Sequence, residues 1–497
     1  MRFRPIVYPG AVGLALLCAA VPRPVHAQAG LANRLDRLLD APPFNRASWG
    51  VYLADEGGRT LYARNPDRLF VPASNNKLVA AAVAAALLPP DHRIVTSVYG
   101  TGPLEDGVLE GDLVVYGRGD PTFSERCYGT DTLSAGTCDS LWTRMDALAD
   151  SIVERGVRHV AGGIVGDGSY FDAQLVHPAW EVYDLNWWYA APVSALGFND
   201  NSVNVTWAPG PAVRAPPRVR FEPDLDNFRF ENRARTGAAG TRRTIDFFRE
   251  PGTMNIWAEG VVPLGHRERT EYFALPNPNL YFAQALRAAL ERRGVSVAGA
   301  TGSTTDSLRY RSCRNAPALV DFASRSLADR IYPILNSSQN WFAEMLLKRV
   351  GKEFQGEGSW DAGVEVERRF LIDSVGIDST AFVLSDASGL STGNLVSPRA
   401  MAQLLDYMRT HPRGAAFLAG LPRAGERGSL RDRFAGTRLA GRVVAKTGSI
   451  SRVNSLSGYI ERPDARTFTF VVVANNHTAG YTEMLRQVDA LVVEMGR

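Results

Sequence analysis

Two residues that could form a nucleophile and its base, Ser74 and Lys77, lie in the stretch VPASNNKL, directly before the apolar run VAAAVAAALL. On a helix, positions three apart share a face, so the amine of Lys77 can reach the hydroxyl of Ser74. A neutral amine can activate a serine for attack, and unpaired N–H groups at a helix N-terminus stabilise negative charge. The simpler alternative is that Ser74 caps the helix and Lys77 is an ordinary first-turn residue.

Two later groups follow in chain order. Ser338 and Asn340 lie in LNSSQNWF, at a loop or helix start, and the run Lys-Thr-Gly-Ser at 446–449 ends GRVVAKTGS, which is typical of a strand. Each group alone occurs by chance in a long chain. All three together, in this order and on these elements, are specific enough to indicate one site.

Together the groups Ser-x-x-Lys, Ser-x-Asn and Lys-Thr-Gly resemble the active-site signature of penicillin-binding proteins and serine β-lactamases. Further stretches, including GDLVVYGRGDPT, APVSALGFNDNSVNV and SDASGLSTGNLVSP, are similar to the low-molecular-mass class C penicillin-binding proteins, the D-Ala-D-Ala carboxypeptidase/endopeptidase family. The resemblance covers nearly the whole mature chain. It includes a long insertion after the first motif, which that family carries and β-lactamases lack.

This resemblance implies that Ser74 attacks the carbonyl of a D-Ala residue in a peptidoglycan stem peptide and forms an acyl-enzyme. β-Lactam antibiotics would act as covalent inhibitors. Lys77 is the nearest base, and both burial and the positive charge of Lys446 would favour its neutral form. A charged Lys77 that only orients Ser74 is the alternative.

For the second motif, Ser338 is expected to relay a proton between Lys77 and the leaving amine. Asn340 is expected to hydrogen-bond the substrate amide and to position Lys77. Ordinary turn and capping chemistry is the alternative for both residues, since Ser and Asn are common in such positions.

The third motif, by resemblance, holds the substrate. Lys446 and Thr447 would bind the terminal carboxylate of D-Ala-D-Ala, and Gly448 would keep the strand open for close approach. The N–H of Ser449 would form an oxyanion hole with that of Ser74.

Two aspartates outside the motifs have open roles. Asp167, in VGDGSYFD, is predicted from the resemblance to reach the free amine of the substrate's diamino acid, and a turn-capping Asp between glycines is the alternative. Asp120, in GRGDPT, invites a phosphate-loop interpretation, but no lysine follows and a structural turn is favoured. The segment 385–394 is predicted to border the site and receives no chemical role.

A serine β-lactamase is the first alternative function, and it would need a group for fast deacylation. The nearest candidates, Glu181 and Asn186, are one residue too far apart for a Glu-x-x-x-Asn loop and lie in the insertion. A non-catalytic cell-wall-binding protein on the same fold is the second alternative, and nothing in the intact motifs favours it.

These residues require a scaffold that brings distant segments together. The chain has 497 residues, too many for one ordinary core. The predicted fold class is α/β (α+β), a penicillin-binding-protein/β-lactamase-like catalytic domain split by a large, mainly β insertion. Its first part is 28–93, the insertion is 94–310 with a smaller nested β module at about 195–272, and the second part is 311–497.

The N-terminus predicts export to the periplasm. Arg2 and Arg4 precede the apolar run 11–21, and the residues 25–27, Val-His-Ala, have the small-x-small form of a signal cleavage site, so 1–27 is predicted to be a signal peptide. The alternative is an uncleaved anchor, although the apolar run is short for a bilayer. No stable membrane span is expected after cleavage.

Composition excludes several classes of partner and cofactor. A net charge of +3, from 55 basic and 52 acidic residues, gives no case for nucleic acid. The histidines are scattered singly, so neither a metal nor another cofactor is expected. Cys127 and Cys138 flank a short polar loop and are candidates for a local disulfide, while Cys313 is left unpaired.

Overall fold

The structure is a computed structural model that describes residues 25–126, 138–225, 228–250 and 253–497. Most of the predicted signal peptide and Cys127 lie outside these residues. Cys138 takes part in a disulfide, and Cys313 is a free thiol. Among the described residues, no helix has both the length and the apolar character needed to cross a membrane.

Ten α-helices occur in the described part of the chain. They are α1 (Val25–Leu39), α2 (Lys77–Leu87), α3 (Thr143–Glu154), α4 (Pro278–Glu291), α5 (Leu327–Asn336), α6 (Asn340–Gln355), α7 (Trp360–Arg369), α8 (Pro398–Thr410), α9 (Ala415–Gly420) and α10 (Tyr481–Met495).

The described strands fall into an early, a middle and a late group. The early strands are β1 (Ser48–Ala54), β2 (Thr60–Arg64), β3 (Val95–Gly100), β4 (Leu104–Glu105), β5 (Val108–Leu109), β6 (Leu113–Tyr116), β7 (His159–Val160) and β8 (Ile164–Asp167). The middle strands are β9 (Ser202–Ala208), β10 (Arg218–Glu222), β11 (Arg229–Asn232), β12 (Arg235–Gly237), β13 (Asp246–Arg249), β14 (Asn255–Glu259), β15 (Val261–Pro263) and β16 (Arg269–Ala274). The late strands are β17 (Ser296–Val297), β18 (Gly302–Thr304), β19 (Val320–Ala323), β20 (Phe382–Val383), β21 (Leu395–Val396), β22 (Val443–Ile450), β23 (Val453–Glu461) and β24 (Thr467–Asn475).

The sheet that carries the third motif joins the two ends of the chain. Its order is β2-β1-β24-β23-β22, with every neighbouring pair antiparallel. Strands β1 and β2 form a hairpin around residues 55–58, and the strand predicted to end at 446–449 is β22. Successive side chains of the strands point to opposite faces of the sheet. The apolar side chains on one face form a core with helices α1 and α10.

Helix α2 lies in the centre of the catalytic part. Its residues are Ala, Val and Leu after the initial Lys77, and all but the last are buried. Small alanine side chains let α5, α6 and α7 pack closely around it. The helix that carries the first motif is therefore fixed on every side.

The insertion contains several smaller sheets. One has the order β18-β8-β6-β3-β19, and another has the order β17-β7-β5-β4. Strands β9 to β16 form three small sheets in the stretch for which a nested β module was predicted. Because β19 pairs with β3, the larger sheet continues past residue 310.

Residues from the insertion also enter the core around α2. Phe171, Trp180 and Val193 are buried in the same cluster as Trp341 and Phe342 of α6. Asp120 accepts bonds from the backbone N–H and the hydroxyl of Thr122 at 2.8 and 2.6 Å, which agrees with the favoured structural turn.

Candidate active site

Ser74, the candidate nucleophile, lies on a strained turn. Residues 73–76 form one turn of 3₁₀ helix before α2, and Ala73 has a φ of 48°, in the left-handed region that residues with a Cβ rarely occupy. The side chain of Ser74 makes no capping bond. The simpler interpretation of Ser74 as a helix cap is therefore wrong, and its hydroxyl instead meets Lys77.

Lys77, the candidate base, is buried and contacts Ser74. Its Nζ donates to Ser74 Oγ at 2.9 Å and to the carbonyl oxygen of Ser388 at 2.7 Å, and the side chain has no solvent exposure. Burial lowers the pKa of Lys77 to about 7, against the opposing charges of Glu344 and Asp386. A large fraction of the amine is thus neutral near pH 7 and can accept the serine proton.

A loop that received no chemical role from the sequence holds this lysine. Glu344 of α6 accepts the backbone N–H of Ser388 at 2.7 Å and that of Ala387 at 3.2 Å. Burial and the charge of Asp386 raise the pKa of Glu344 to about 7. The buried Glu344 side chain therefore fixes the position of Ser388, whose carbonyl oxygen binds Lys77.

Asp386 organises the rest of that loop. Its carboxylate accepts the N–H groups of Gly389 and Ser391 at 2.8 and 2.7 Å, and the side-chain amide of Asn394 at 2.8 Å. The indole N–H of Trp180, from the insertion, donates to the same carboxylate at 2.9 Å. The loop is thus a closed hydrogen-bonded unit next to the base.

The second motif faces the third across the cleft. Lys446 Nζ donates to Ser338 Oγ at 2.8 Å, and Ser338 has a φ of 62°. Burial and the charge of Lys77 lower the pKa of Lys446. Asn340 donates to the carbonyl of Tyr189 at 2.7 Å. Among the described residues the hydrogen bonds of Lys77 go to Ser74 and Ser388, so a role of Asn340 in positioning Lys77 stays a prediction.

Strand β22 presents the third motif along one edge of the cleft. Thr447 Oγ1 bonds Ser429 Oγ at 2.8 Å, and Ser449 lines the cleft beside Ser74. A Cβ on Gly448 would lie 2.2 Å from Ser455 Oγ, 2.8 Å from the carbonyl oxygen of Pro72 and 3.0 Å from the backbone N of Ser74. Only glycine lets the strand approach the nucleophile this closely.

One cleft of about 470 Å³ lies between the motifs, and four motif residues line it. Ser74, Ser338, Asn340 and Ser449 come from all three motifs. The opposite wall comes from the insertion and comprises Ala179, Glu181, Asp184, Trp188 and Tyr189. The OH of Tyr189 donates to Asp184 Oδ1 at 3.0 Å, and burial raises the pKa of Asp184.

Asp167 lies apart from this lining. Its side chain is fully buried, pairs with Arg314 and accepts the backbone N–H of Ser169 at 2.9 Å. Arg314 also stacks over the ring of Tyr116. The structure thus gives Asp167 a protein partner, while Asp184 is a half-buried carboxylate in the cleft lining, beside the more exposed Glu181.

The matching family model identifies the chain. The model of the D-Ala-D-Ala carboxypeptidase 3 (S13) family matches residues 31–495. The chain belongs to this family. A D-alanyl-D-alanine carboxypeptidase from an Actinomadura species is 33% identical over 462 residues, which cover 90% of this chain and 81% of that protein. A D-alanyl-D-alanine carboxypeptidase from Haemophilus influenzae is 23% identical, over 84% of this chain and 83% of that protein.

Solved structures show the same fold. Penicillin-binding protein 4 from Haemophilus influenzae superposes with a TM-score of 0.78 at 20% identity, over 93% of this chain and 97% of that one. Its complex with a β-lactam gives a TM-score of 0.73 at 19% identity, over 93% and 99%. Membership of the carboxypeptidase 3 family confirms the predicted class C penicillin-binding-protein type, the split α/β fold class and the assignment as a serine-type enzyme.

Proposed function

We propose that this family member removes the terminal D-Ala from peptidoglycan stem peptides, and cleaves cross-links through the same acyl-enzyme on Ser74. The observation that carries the proposal is the 2.9 Å contact between the buried Lys77 amine and the Ser74 hydroxyl. A serine hydroxyl needs such a base, and burial keeps the amine partly neutral at neutral pH.

Acylation would use the groups around Ser74 in sequence. Neutral Lys77 takes the hydroxyl proton while Oγ attacks the D-Ala carbonyl. The N–H groups of Ser74 and Ser449 stabilise the oxyanion. Ser338, which lies in the cleft, relays this proton from Lys77 to the leaving amine, and water then attacks the acyl-enzyme to release the shortened peptide.

The terminal carboxylate would bind at the third motif. Lys446 and Thr447 lie side by side on β22, and Lys446 already donates to Ser338. A bound carboxylate places a negative charge beside the buried Lys446 amine. This charge raises the pKa of Lys446 and so favours its protonated form. Carboxylate binding therefore completes the electrostatics of the site.

The free amine of the substrate's diamino acid would meet Asp184. Asp184 faces the cleft and is held by Tyr189, whereas Asp167 is engaged with Arg314. Changing Asp184 to Asn should raise KM for a stem peptide with a free side-chain amine, and leave KM for the acetylated peptide unchanged. An equal effect on both peptides would contradict this assignment, as would selective loss in Asp167→Asn.

The proposed place of action is the periplasm, supported by the basic, apolar and small-x-small segments at the N-terminus. Fractionation of cells that express the full chain tests this directly. Recovery in the cytoplasm with residues 1–27 retained would contradict it.

The decisive experiment is intact-protein mass spectrometry after incubation with benzylpenicillin, with Ser74→Ala as the control. A stable penicilloyl adduct on Ser74 is expected. Rapid drug loss without a lasting adduct would favour a β-lactamase, and neither adduct nor drug loss in folded protein would favour a non-catalytic binding protein. Release of D-Ala from monomeric and cross-linked stem peptides then measures the balance between the two reactions.

A further inference from the structure

A second groove, of about 570 Å³, lies beside the catalytic cleft, between the segment 183–189 and strands of the nested β sheets. Five of its lining side chains are aromatic. They are Tyr183, Trp187, Trp188, Tyr189 and Tyr272. Its volume is within the range of about 300–1,000 Å³ that is usual for ligand sites.

The groove and the catalytic cleft share a wall. Trp188 and Tyr189 line both, and the carbonyl of Tyr189 accepts the side-chain amide of Asn340 in the second motif. A ligand that fills the cleft can thus continue into the groove without leaving the protein surface. This continuity makes the groove a place for another part of the same substrate.

The charged groups of the groove are already paired within it. Arg243 lies 3.6 Å from Glu271, and the OH of Tyr183 donates to Asp246 at 2.9 Å. The groove thus holds two carboxylates, Asp246 and Glu271, and one guanidinium, Arg243. This excess of acidic groups disfavours an anionic ligand, such as a second stem peptide with free carboxylates. Paired charges among aromatic rings suit an uncharged ring with many hydroxyl and amide groups, which can stack and also hydrogen-bond.

We propose that this groove binds the glycan strand of peptidoglycan through its uncharged N-acetylhexosamine rings, while the attached stem peptide occupies the catalytic cleft. The inference rests on the proposed function. Because the sugar and the peptide are covalently linked, binding one raises the effective concentration of the other at its site. The enzyme therefore favours stem peptides that are still attached to glycan.

Binding can be measured with the catalytic cleft blocked. The protein is first acylated with benzylpenicillin, and an N-acetylglucosamine tetramer is then titrated in by calorimetry. Saturable binding is expected, with a loss of about tenfold or more in affinity for Tyr183→Ala, whose side chain is 47% exposed in the groove. The matched control is Trp257→Ala, an aromatic on the same β sheets that lines a different surface pocket.

Absence of tetramer binding to the acylated protein would overturn the inference. Equal losses in Tyr183→Ala and Trp257→Ala would also overturn it, as would saturable binding of a sugar-free stem peptide in place of the tetramer. Failure of the proposed function is distinguishable, because it would show as the lack of a penicilloyl adduct before any sugar is added.

Kinetics give an independent readout. D-Ala release is compared for a stem peptide with and without its attached disaccharide. The disaccharide should lower KM of the wild type several-fold, and Tyr183→Ala should lose this gain with kcat and the KM of the sugar-free peptide unchanged. A similar KM for both substrates in the wild type would overturn the proposal.

Discussion

The chemistry of single residues centres on Lys77, a buried amine with a lowered pKa. Below a pH of about 7 the amine is protonated and has no lone pair for the Ser74 proton; above it, the neutral form dominates. We expect the rate of acylation by benzylpenicillin to rise with pH and to level off above about 7. It should fall about tenfold for each pH unit below that point.

Stopped-flow measurement of acylation across pH 5 to 9 checks this expectation. Far-UV circular dichroism at each pH controls for unfolding. A flat profile from pH 5 upward would mean that a group other than Lys77 is the base.

A second residue-scale prediction concerns the carboxylate beneath the base. Glu344→Gln removes a group whose ionised form raises the pKa of Lys77, so the rise in rate should move to lower pH. The plateau should also fall, because the amide cannot accept both the Ala387 and the Ser388 N–H groups. The pH profile of penicilloylation measures both effects.

Glu367 offers a matched control for this variant. It is as deeply buried, its carboxyl oxygens have no hydrogen-bond partner among the described residues, and burial raises its pKa well above the usual value. Because the protonated acid and an amide are nearly isosteric, Glu367→Gln should leave the profile in place. A shift of the same size in both variants would argue against a specific role for Glu344.

At the scale of secondary-structure elements, the critical packing contact is the one between β22 and the turn that carries Ser74. Gly448→Ala places a methyl group against the Pro72 carbonyl and the Ser74 N–H, so the strand must move. Acylation should slow by at least about tenfold, and the free energy of unfolding should fall by about 1–3 kcal/mol.

The control for this change is Gly302→Ala on β18, where the nearest atom to an added Cβ is 4.0 Å away. Penicilloylation rates and urea unfolding of both variants provide the measurement. Unchanged acylation in Gly448→Ala would show that the turn tolerates a wider gap.

The sequence predicted the elements that depend on side-chain pattern. The segment GRVVAKTGS predicted β22, and the i, i+3 spacing placed Lys77 beside Ser74. The role of the segment 385–394 was not predictable in this way. Its contact with Lys77 uses the Ser388 carbonyl, a backbone group that every residue type has.

Long-range placement was also beyond the sequence. Asp167 and Asp184 are both acidic residues of the insertion, and no local pattern tells which one faces the cleft. Arg314, which pairs with Asp167, lies far from it along the chain. Likewise, only the fold shows that Asn340 bonds Tyr189 and that Ser388 holds Lys77.

At the scale of the whole molecule, the insertion and the catalytic part share a core and a hydrogen-bond network. Trp180→Phe removes the indole donor to Asp386 while keeping most of the packing. The free energy of unfolding should fall by about 1–3 kcal/mol, because the buried carboxylate loses a partner. Acylation should slow as well, since Asp386 holds the loop that positions Lys77.

Thermal unfolding and penicilloylation kinetics test this link, with Trp257→Phe as the control on an outer sheet. A change in stability with no change in acylation would confine the role of Trp180 to packing. No change in either would mean that the insertion and the catalytic loop are energetically independent.

The order of the catalytic sheet has a consequence for biosynthesis. Strand β1 is made early, but its partner β24 ends at Asn475, close to the end of the chain. Sheets with such distant pairings form late and slowly, because a long loop must close first. A growing chain is therefore not expected to react with β-lactams until β24 has been synthesised, and a product truncated before β24 lacks the strand that joins β1 to β23.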